Sequence, residues 1–330
     1  MKSLGVVLFA LTIIVGTYLS LTGDYFYTTE TKELGSKENK ASSVLFLGDM
    51  MFDRAIRQIA EDKGYSHLFS CAKDILLEQT AVVANLEGPI TDNESVSKGT
   101  KPGNTDNFQF TFEPKITDTL VLSNIGYVNI GNNHILNFGQ GGLKETKKYL
   151  DKVGIKYFGS PGFSEAGEPL LATSSVAHVP VDTRELALVN YNQFWYPDAT
   201  TTTGLIEREK SEGRFVVVYA HWGEEYATTS NSIQQELAHR FVESGADAVI
   251  GSHPHVVQEV EEYLGRPIFY SLGNFIFDQW WNNEVRTGLG VRMTFEPNEP
   301  KPKFDTIRFV LNKNGTTCPV LGEDGNNKIS

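Results

Sequence analysis

Apolar runs of β-forming residues recur along this chain, and six of them stop at a short polar cluster. Val44–Leu47 runs into Gly48-Asp49, Ala81–Ala84 into Asn85-Leu86-Glu87, and Val128–Ile130 into Asn132-Asn133-His134. Phe215–Tyr219 runs into His221-Trp222-Gly223, Ala248–Ile250 into Gly251-Ser252-His253-Pro254-His255, and Ile268–Leu272 into Gly273-Asn274. Between these runs lie stretches with helical spacing, at 53–63, 67–79, 115–125, 141–153 and 232–244. In the last of them Ile233, Leu237, Phe241 and Val242 form one apolar face. Gly154 and Gly245 stand where a helix would end on a C-cap glycine. Strand–helix–strand order predicts an α/β layered sandwich with a mainly parallel central sheet. Ligand sites in such sheets lie beyond the carboxyl ends of the strands, so the six polar clusters are predicted to meet on one rim.

The remaining segments fit around that frame. Residues 92–112 read as a long loop ending in a short strand that alternates Phe108, Phe110 and Phe112. Residues 192–212 read as a second long loop, and such loops near strand ends often carry specificity. Val291–Phe295 and Thr306–Leu311 look like two further strands, and residues 313–330 like a frayed tail. Leu4–Leu21 is uncharged and largely apolar, just long enough to cross a bilayer as a helix. Lys2 before it favours a cytoplasmic N-terminus. Residues 1–22 are therefore predicted to be a membrane anchor rather than a cleaved signal peptide, because Thr17-Tyr18-Leu19-Ser20 is a poor cleavage site. Residues 23–42 read as a polar linker, and 43–312 as the body.

Composition narrows the function. The 330 residues carry a formal charge of −12, and the body without Lys2 is more acidic still. That balance does not favour nucleic acid, whose binding rests on basic residues neutralising phosphates. It also repels a polyanion at long range, so an anionic substrate needs a local cation. The two cysteines, Cys71 and Cys318, cannot build a disulfide framework. One bridge is possible outside the cytosol; a buried thiol and an odd tail cysteine is the plainer reading.

The polar clusters suit a centre of mixed oxygen and imidazole ligands. Asp49 offers a hard carboxylate, although Gly-Asp is also a common turn. Glu87 follows Asn85 on one side of an extended backbone and can bridge two metals. Asn133 offers a carbonyl oxygen, and His134 a general acid near neutral pH. His221 closes a run of strong β-formers. In His253-Pro254-His255 both imidazoles are predicted to project from one side of an extended segment, held by the proline. Arg54 is a candidate for holding a substrate anion. His67, His178 and His239 lack such context. Phe275–Phe277 and Trp280-Trp281 read as packing rather than a ligand platform.

Taken in order, Gly48-Asp49-Met50-Met51, Asn85-Leu86-Glu87-Gly88-Pro89, Asn132-Asn133-His134 with Gly139, His221-Trp222-Gly223-Glu224-Glu225-Tyr226, Gly251-Ser252-His253-Pro254-His255 and Tyr270-Ser271-Leu272-Gly273-Asn274-Phe275 resemble the CapA-type capsule-synthesis proteins of bacteria. The resemblance runs from about residue 43 to 280. It implies a role in making a poly-γ-glutamate-like capsule and a calcineurin-like metallophosphoesterase fold. It also implies metal ligation by Asp49, Glu87, Asn133, His221, His253 and His255, with Glu87 bridging and His134 as acid. Three departures stand out. Met51 replaces a usual His, Ile135 follows His134 where an acidic residue is usual, and Asn137 stands where the CapA-type pattern has Asp.

Together these features predict a single-pass protein of the bacterial cytoplasmic membrane with its body outside. It would be a hydrolase or transferase using water activated by one or two divalent ions (Mn, Zn or Fe). Arg54 or Asn274 would steady the developing anion. Its substrate would be an anionic polymer or a phosphoester, cleaved at a phosphoester or γ-glutamyl amide bond, with capsule synthase subunits as further partners. The alternative is a non-catalytic accessory subunit that binds the polymer or its synthase and assists export. A third possibility is an intracellular phosphodiesterase.

Overall fold

The computed structural model describes residues 41–320 apart from 102–103, 164–168, 175, 196–197 and 298. The anchor and nearly all of the linker predicted above lie outside the described residues. Among the described residues no helix is long and apolar enough to cross a membrane.

Two sheets face each other, with helices covering the outer side of each. The alternation of the first strand, Ser42–Met50, shows how the layers form. Successive side chains of a strand point to opposite faces. Val44 and Phe46 pack with Val217, Tyr219 and Ile250 of the other sheet. Leu45 and Leu47 pack the other way, with Ile56, Leu68, Ile116 and Leu150 from the helical side. The second sheet behaves alike. Val216, Val218 and Ala220 turn outward onto Ile206 from one helix and Leu237 and Phe241 from another.

The first sheet runs in the order Thr317–Pro319, Lys303–Leu311, Thr287–Phe295, Ser42–Met50, Ala81–Leu86, Ile125–Asn129 and Lys156–Phe158, with Asn274–Ile276 beside the end of Ser42–Met50. The second runs Val260–Tyr263, Arg266–Phe269, Ala248–Ser252, Phe215–His221, Arg184–Asn192 and Val176–Val181. Each sheet holds a parallel core of four strands, Ser42–Met50 through Lys156–Phe158 in one and Arg184 through Phe269 in the other. Antiparallel hairpins flank both. The α/β sandwich is therefore as predicted, but the single mainly parallel central sheet is not. The chain builds two mixed sheets because hairpins after Val176 and after Thr287 add antiparallel neighbours that strand–helix alternation cannot reveal.

Other differences have local causes. Residues 200–211 form a helix inside a predicted loop. Four successive threonines hid it, since β-branched residues rank low for helix, but Thr202 and Thr203 are buried there. Gly48-Asp49 is not a turn. Instead the strand continues to Met50, and a Cβ on Gly48 would lie 1.9 Å from the Gly273 carbonyl oxygen. The glycine permits this close approach of two backbones.

The tail is not frayed through residue 320. Thr317–Pro319 pairs with Lys303–Leu311, and Cys318 is bonded to Cys71. This corrects the reading of a free buried thiol and an odd tail cysteine. The bridge spans 247 residues, and closing so long a loop restricts the unfolded chain strongly. Cys71→Ser with Cys318→Ser is expected to lower the unfolding free energy by about 2–4 kcal/mol. Denaturant melts of both forms, with and without reductant, check this; the reductant should shift only the native sequence.

Candidate metal centre

The carboxyl ends of the two parallel cores meet, and the predicted rim residues gather there. Asp49, Glu87 and His255 each offer a ligand atom, all lying within 4.8 Å of one another; Glu87, His221 and His253 form a second such set. All five side chains are buried, and Glu87 belongs to both sets. Asn133 and His134 line the same centre. The Asn133 Oδ1 lies 2.9 Å from His221 Nε2. His134 Nε2 lies 4.0 Å from Glu87 Oε1.

Neutral donors hold the ligands in place. Asn85 donates from Nδ2 to Asp49 Oδ1 at 2.8 Å, while its Oδ1 accepts from Asn129 and Asn132 at 3.0 and 3.1 Å. Asn190 donates to Asn129 in turn. The backbone N–H of His253 donates to Asp49 Oδ2 at 3.1 Å. Ser252 donates its hydroxyl proton to the Ala220 carbonyl, so its oxygen is left to accept from His221 Nδ1 at 3.0 Å. His221 Nε2, on the other side of the ring, lies against the Asn133 oxygen. A second shell of this kind fixes which imidazole nitrogen is free for a metal.

His253-Pro254-His255 is not the extended segment predicted. His253 and His255 have φ of 97° and 59°, so the segment is a turn in left-handed conformation. The two rings diverge, their centroids 6.0 Å apart, and each serves a different ligand set. Backbone strain of this kind costs about 1–3 kcal/mol per residue and concentrates at functional sites.

Asn274 does not face substrate. It is buried behind His255, with its Oδ1 3.0 Å from His255 Nδ1 and its Nδ2 donating to the His255 and Val285 carbonyls and to Gln279 Oε1. Its role is to orient the ring. Arg54 sits in the wall of an adjoining cavity, paired with Asp278, hydrogen-bonded to Asn107 and packed over the Phe110 and Phe277 rings. Met51 supplies no ligand. Its side chain lies in the core, and its sulfur accepts from the Asp53 N–H. Asn137 sits 2.9 Å from His134 Nδ1, so an amide fills the orienting position for which a carboxylate was expected. His178 and His239 pair with Glu209 and Glu261 away from this centre. Asn85, Ser252 and Gln279 were not singled out as site residues. Asn85 and Ser252 had a signal, since each stands in a polar cluster at a strand end.

The electrostatics fit a cation. Burial, with Asp49 and then Glu225 nearby, pushes the Glu87 carboxyl well above its usual range. Burial and neighbouring imidazoles push His221 well down and His253 to about 3. Burial likewise lowers His134 to about 4. Glu87 Oε1 and His253 Nδ1 are buried with no hydrogen-bond partner. Unpaired buried polar atoms are costly, and a metal would satisfy both.

A family model described as "Bacterial capsule synthesis protein PGA_cap" matches residues 43–279. The "PGA biosynthesis protein CapA" of Bacillus subtilis (strain 168) is 28% identical over 302 residues, covering 87% of this chain and 72% of that protein. The "Capsule biosynthesis protein CapA" of Bacillus anthracis is 27% identical over 273 residues, covering 77% of this chain and 64% of the relative. Among solved structures, a candidate 5′-nucleotidase from Staphylococcus aureus, in complex with α-ketoglutarate, aligns at a TM-score of 0.50 and 12% identity. The alignment covers 86% of this chain and 57% of that one, and shows a shared fold. The chain belongs to the PGA_cap family of bacterial capsule-synthesis proteins.

Two variants test the centre. His253→Ala with His255→Ala should abolish divalent-metal binding measured by elemental analysis. Glu87→Gln should also lose metal, yet at pH 8 it should raise the thermal midpoint of the metal-free protein by roughly 2–4 °C, because it removes a carboxylate that burial disfavours. A lower midpoint for metal-free Glu87→Gln would contradict the electrostatic account.

Proposed function

We propose that this member of the PGA_cap family is a membrane-anchored, extracytoplasmic, metal-dependent hydrolase of capsule synthesis. The observation that carries the proposal is the pair of buried ligand sets joined by Glu87, with unpartnered buried atoms on Glu87 and His253. Asp49, Glu87 and His255 would hold one divalent ion. Glu87, His221 and His253 would hold the other, with the Asn133 oxygen beside His221. Mn, Zn and Fe all suit such mixed ligands. Such ions supply Lewis-acid polarisation of the scissile group and acidify water.

His134 handles the proton. Asn137 Oδ1 also accepts from the Phe110 N–H, which keeps the amide oxygen toward the ring and the His134 proton on Nδ1. Nε2 thus faces the centre with a lone pair. A neutral amide at 137 lends little support to an imidazolium, so the ring starts as a proton acceptor at Nε2, takes a proton from the attacking water and returns it to the leaving group. This differs from the acid role implied by resemblance, which needs a proton on Nε2 at the outset. Both the bond types predicted, phosphoester and γ-glutamyl amide, are open to such a centre. Capsule synthase subunits would be its neighbours.

Two features support placement outside the cytoplasm. Leu4–Leu21 is uncharged and preceded by Lys2, and the Cys71–Cys318 bridge suits an oxidising compartment. A second reading, a non-catalytic accessory subunit, is favoured by one observation: Met51 occupies a usual ligand position and turns into the core.

With manganese, the full-length chain should hydrolyse bis(p-nitrophenyl) phosphate, and His134→Ala should lower kcat by about 10²–10⁴-fold. Stoichiometric metal without turnover of any ester or γ-glutamyl peptide would select the accessory reading. An alkaline phosphatase fused after Ser330 should be active in intact cells; activity confined to the cytoplasm would refute the topology.

A further inference from the structure

Exposed aromatic side chains from four separate segments, one of them the short 3-10 helix Thr105–Phe108, stand around the centre. Phe108 is 48% exposed, Phe194 42%, Tyr226 43% and Trp281 62%. Large apolar groups rarely stay in water in such a group without a partner. Phe194 packs on the His253 ring at 4.3 Å, and Tyr226 lies 6.1 Å from the His255 ring. Trp281 meets Tyr226 edge-on at 5.6 Å. Phe108, Tyr226 and Trp281 share the wall of a cavity of about 270 Å³ with Arg54, Asp278 and Gln279.

This platform is wired to the centre. The Tyr226 hydroxyl accepts from Gln279 Nε2 at 3.1 Å, Gln279 Oε1 accepts from Asn274, and Asn274 Oδ1 meets His255 Nδ1. The Tyr226 N–H donates to the Pro254 carbonyl between the two histidines. The cavity therefore adjoins the ligand turn rather than lying elsewhere on the surface.

Its charge is equally informative. Arg54 is the sole basic residue on the cavity wall among the described residues, and Asp278 neutralises it. Glu224 and Glu225 are exposed beside Tyr226. Aromatic faces are electron-rich and repel anions. A chain bearing a carboxylate on every residue would find no cation here beyond the metal centre. An uncharged ring would find three aromatic faces able to hold it by dispersion.

We propose that this cavity is a ring subsite: the substrate seats one phosphoryl group at the metal centre and lays an uncharged ring against Trp281, Tyr226 and Phe108. The proposal rests on the hydrolase reading for the phosphoryl position and narrows it to phosphoesters carrying a sugar or nucleoside. A polyanionic strand is disfavoured.

Calorimetric binding to the manganese-loaded full-length chain tests this. The probes are glucose 1-phosphate, a nucleoside 5′-monophosphate, ringless glycerol 3-phosphate and a γ-glutamyl decapeptide. At least one ring ester should bind about tenfold tighter than glycerol 3-phosphate. The tighter of the two identifies the ring. Trp281→Ala should erase most of that gap and Trp281→Tyr should keep it; the side chain is exposed, so neither should unfold the protein. Equal binding with and without a ring, a gap that survives Trp281→Ala, failure of both ring esters to bind, or tightest binding by the decapeptide would each overturn the subsite. Absence of turnover alone would instead count against the hydrolase reading, because ring preference is read by binding.

Discussion

The fold is organised around one awkward fact: Asp49 and Glu87 bury two carboxylates against each other, with no lysine or arginine nitrogen bonded to either among the described residues. Two like charges at low effective dielectric repel strongly. The chain can relieve this by keeping a proton on Glu87 or by accepting a cation. Everything adjacent favours the second course. Burial disfavours the charged form of the His221 and His253 imidazoles, and neutral imidazoles are ligands, not counter-charges.

The scaffolding around these groups is neutral as well. Asn190, Asn129, Asn132 and Asn85 pass hydrogen bonds inward to Asp49, and Asn274 does the same for His255. Amides fix direction without adding charge. A lysine or arginine in their place would compensate the carboxylates internally and remove the attraction for a metal. Asn137 extends the pattern to His134, where it orients the ring without stabilising its charged form.

Which residues would meet was legible in the sequence; how they meet was not. Each polar cluster directly follows a buried run, so the strands announced their own carboxyl ends. The second sheet escaped notice because hairpin partners leave the same alternation as crossover strands. The His-Pro-His segment was misread because a proline restricts its predecessor toward extended backbone, whereas here contacts with Asp49 and Asn274 impose a turn. Asn274 looked like a substrate contact, since a strand-end amide cannot declare which side of a histidine it occupies. The bridge between Cys71 and Cys318 was ambiguous because two cysteines so far apart carry no spacing signal.

That bridge also changes what kind of object the body is. With residue 71 tied to residue 318, the backbone between them is a closed covalent ring. A single proteolytic cut anywhere inside it opens the ring without releasing a fragment. The severed halves, including strands from both sheets, would stay tethered and able to find their places again.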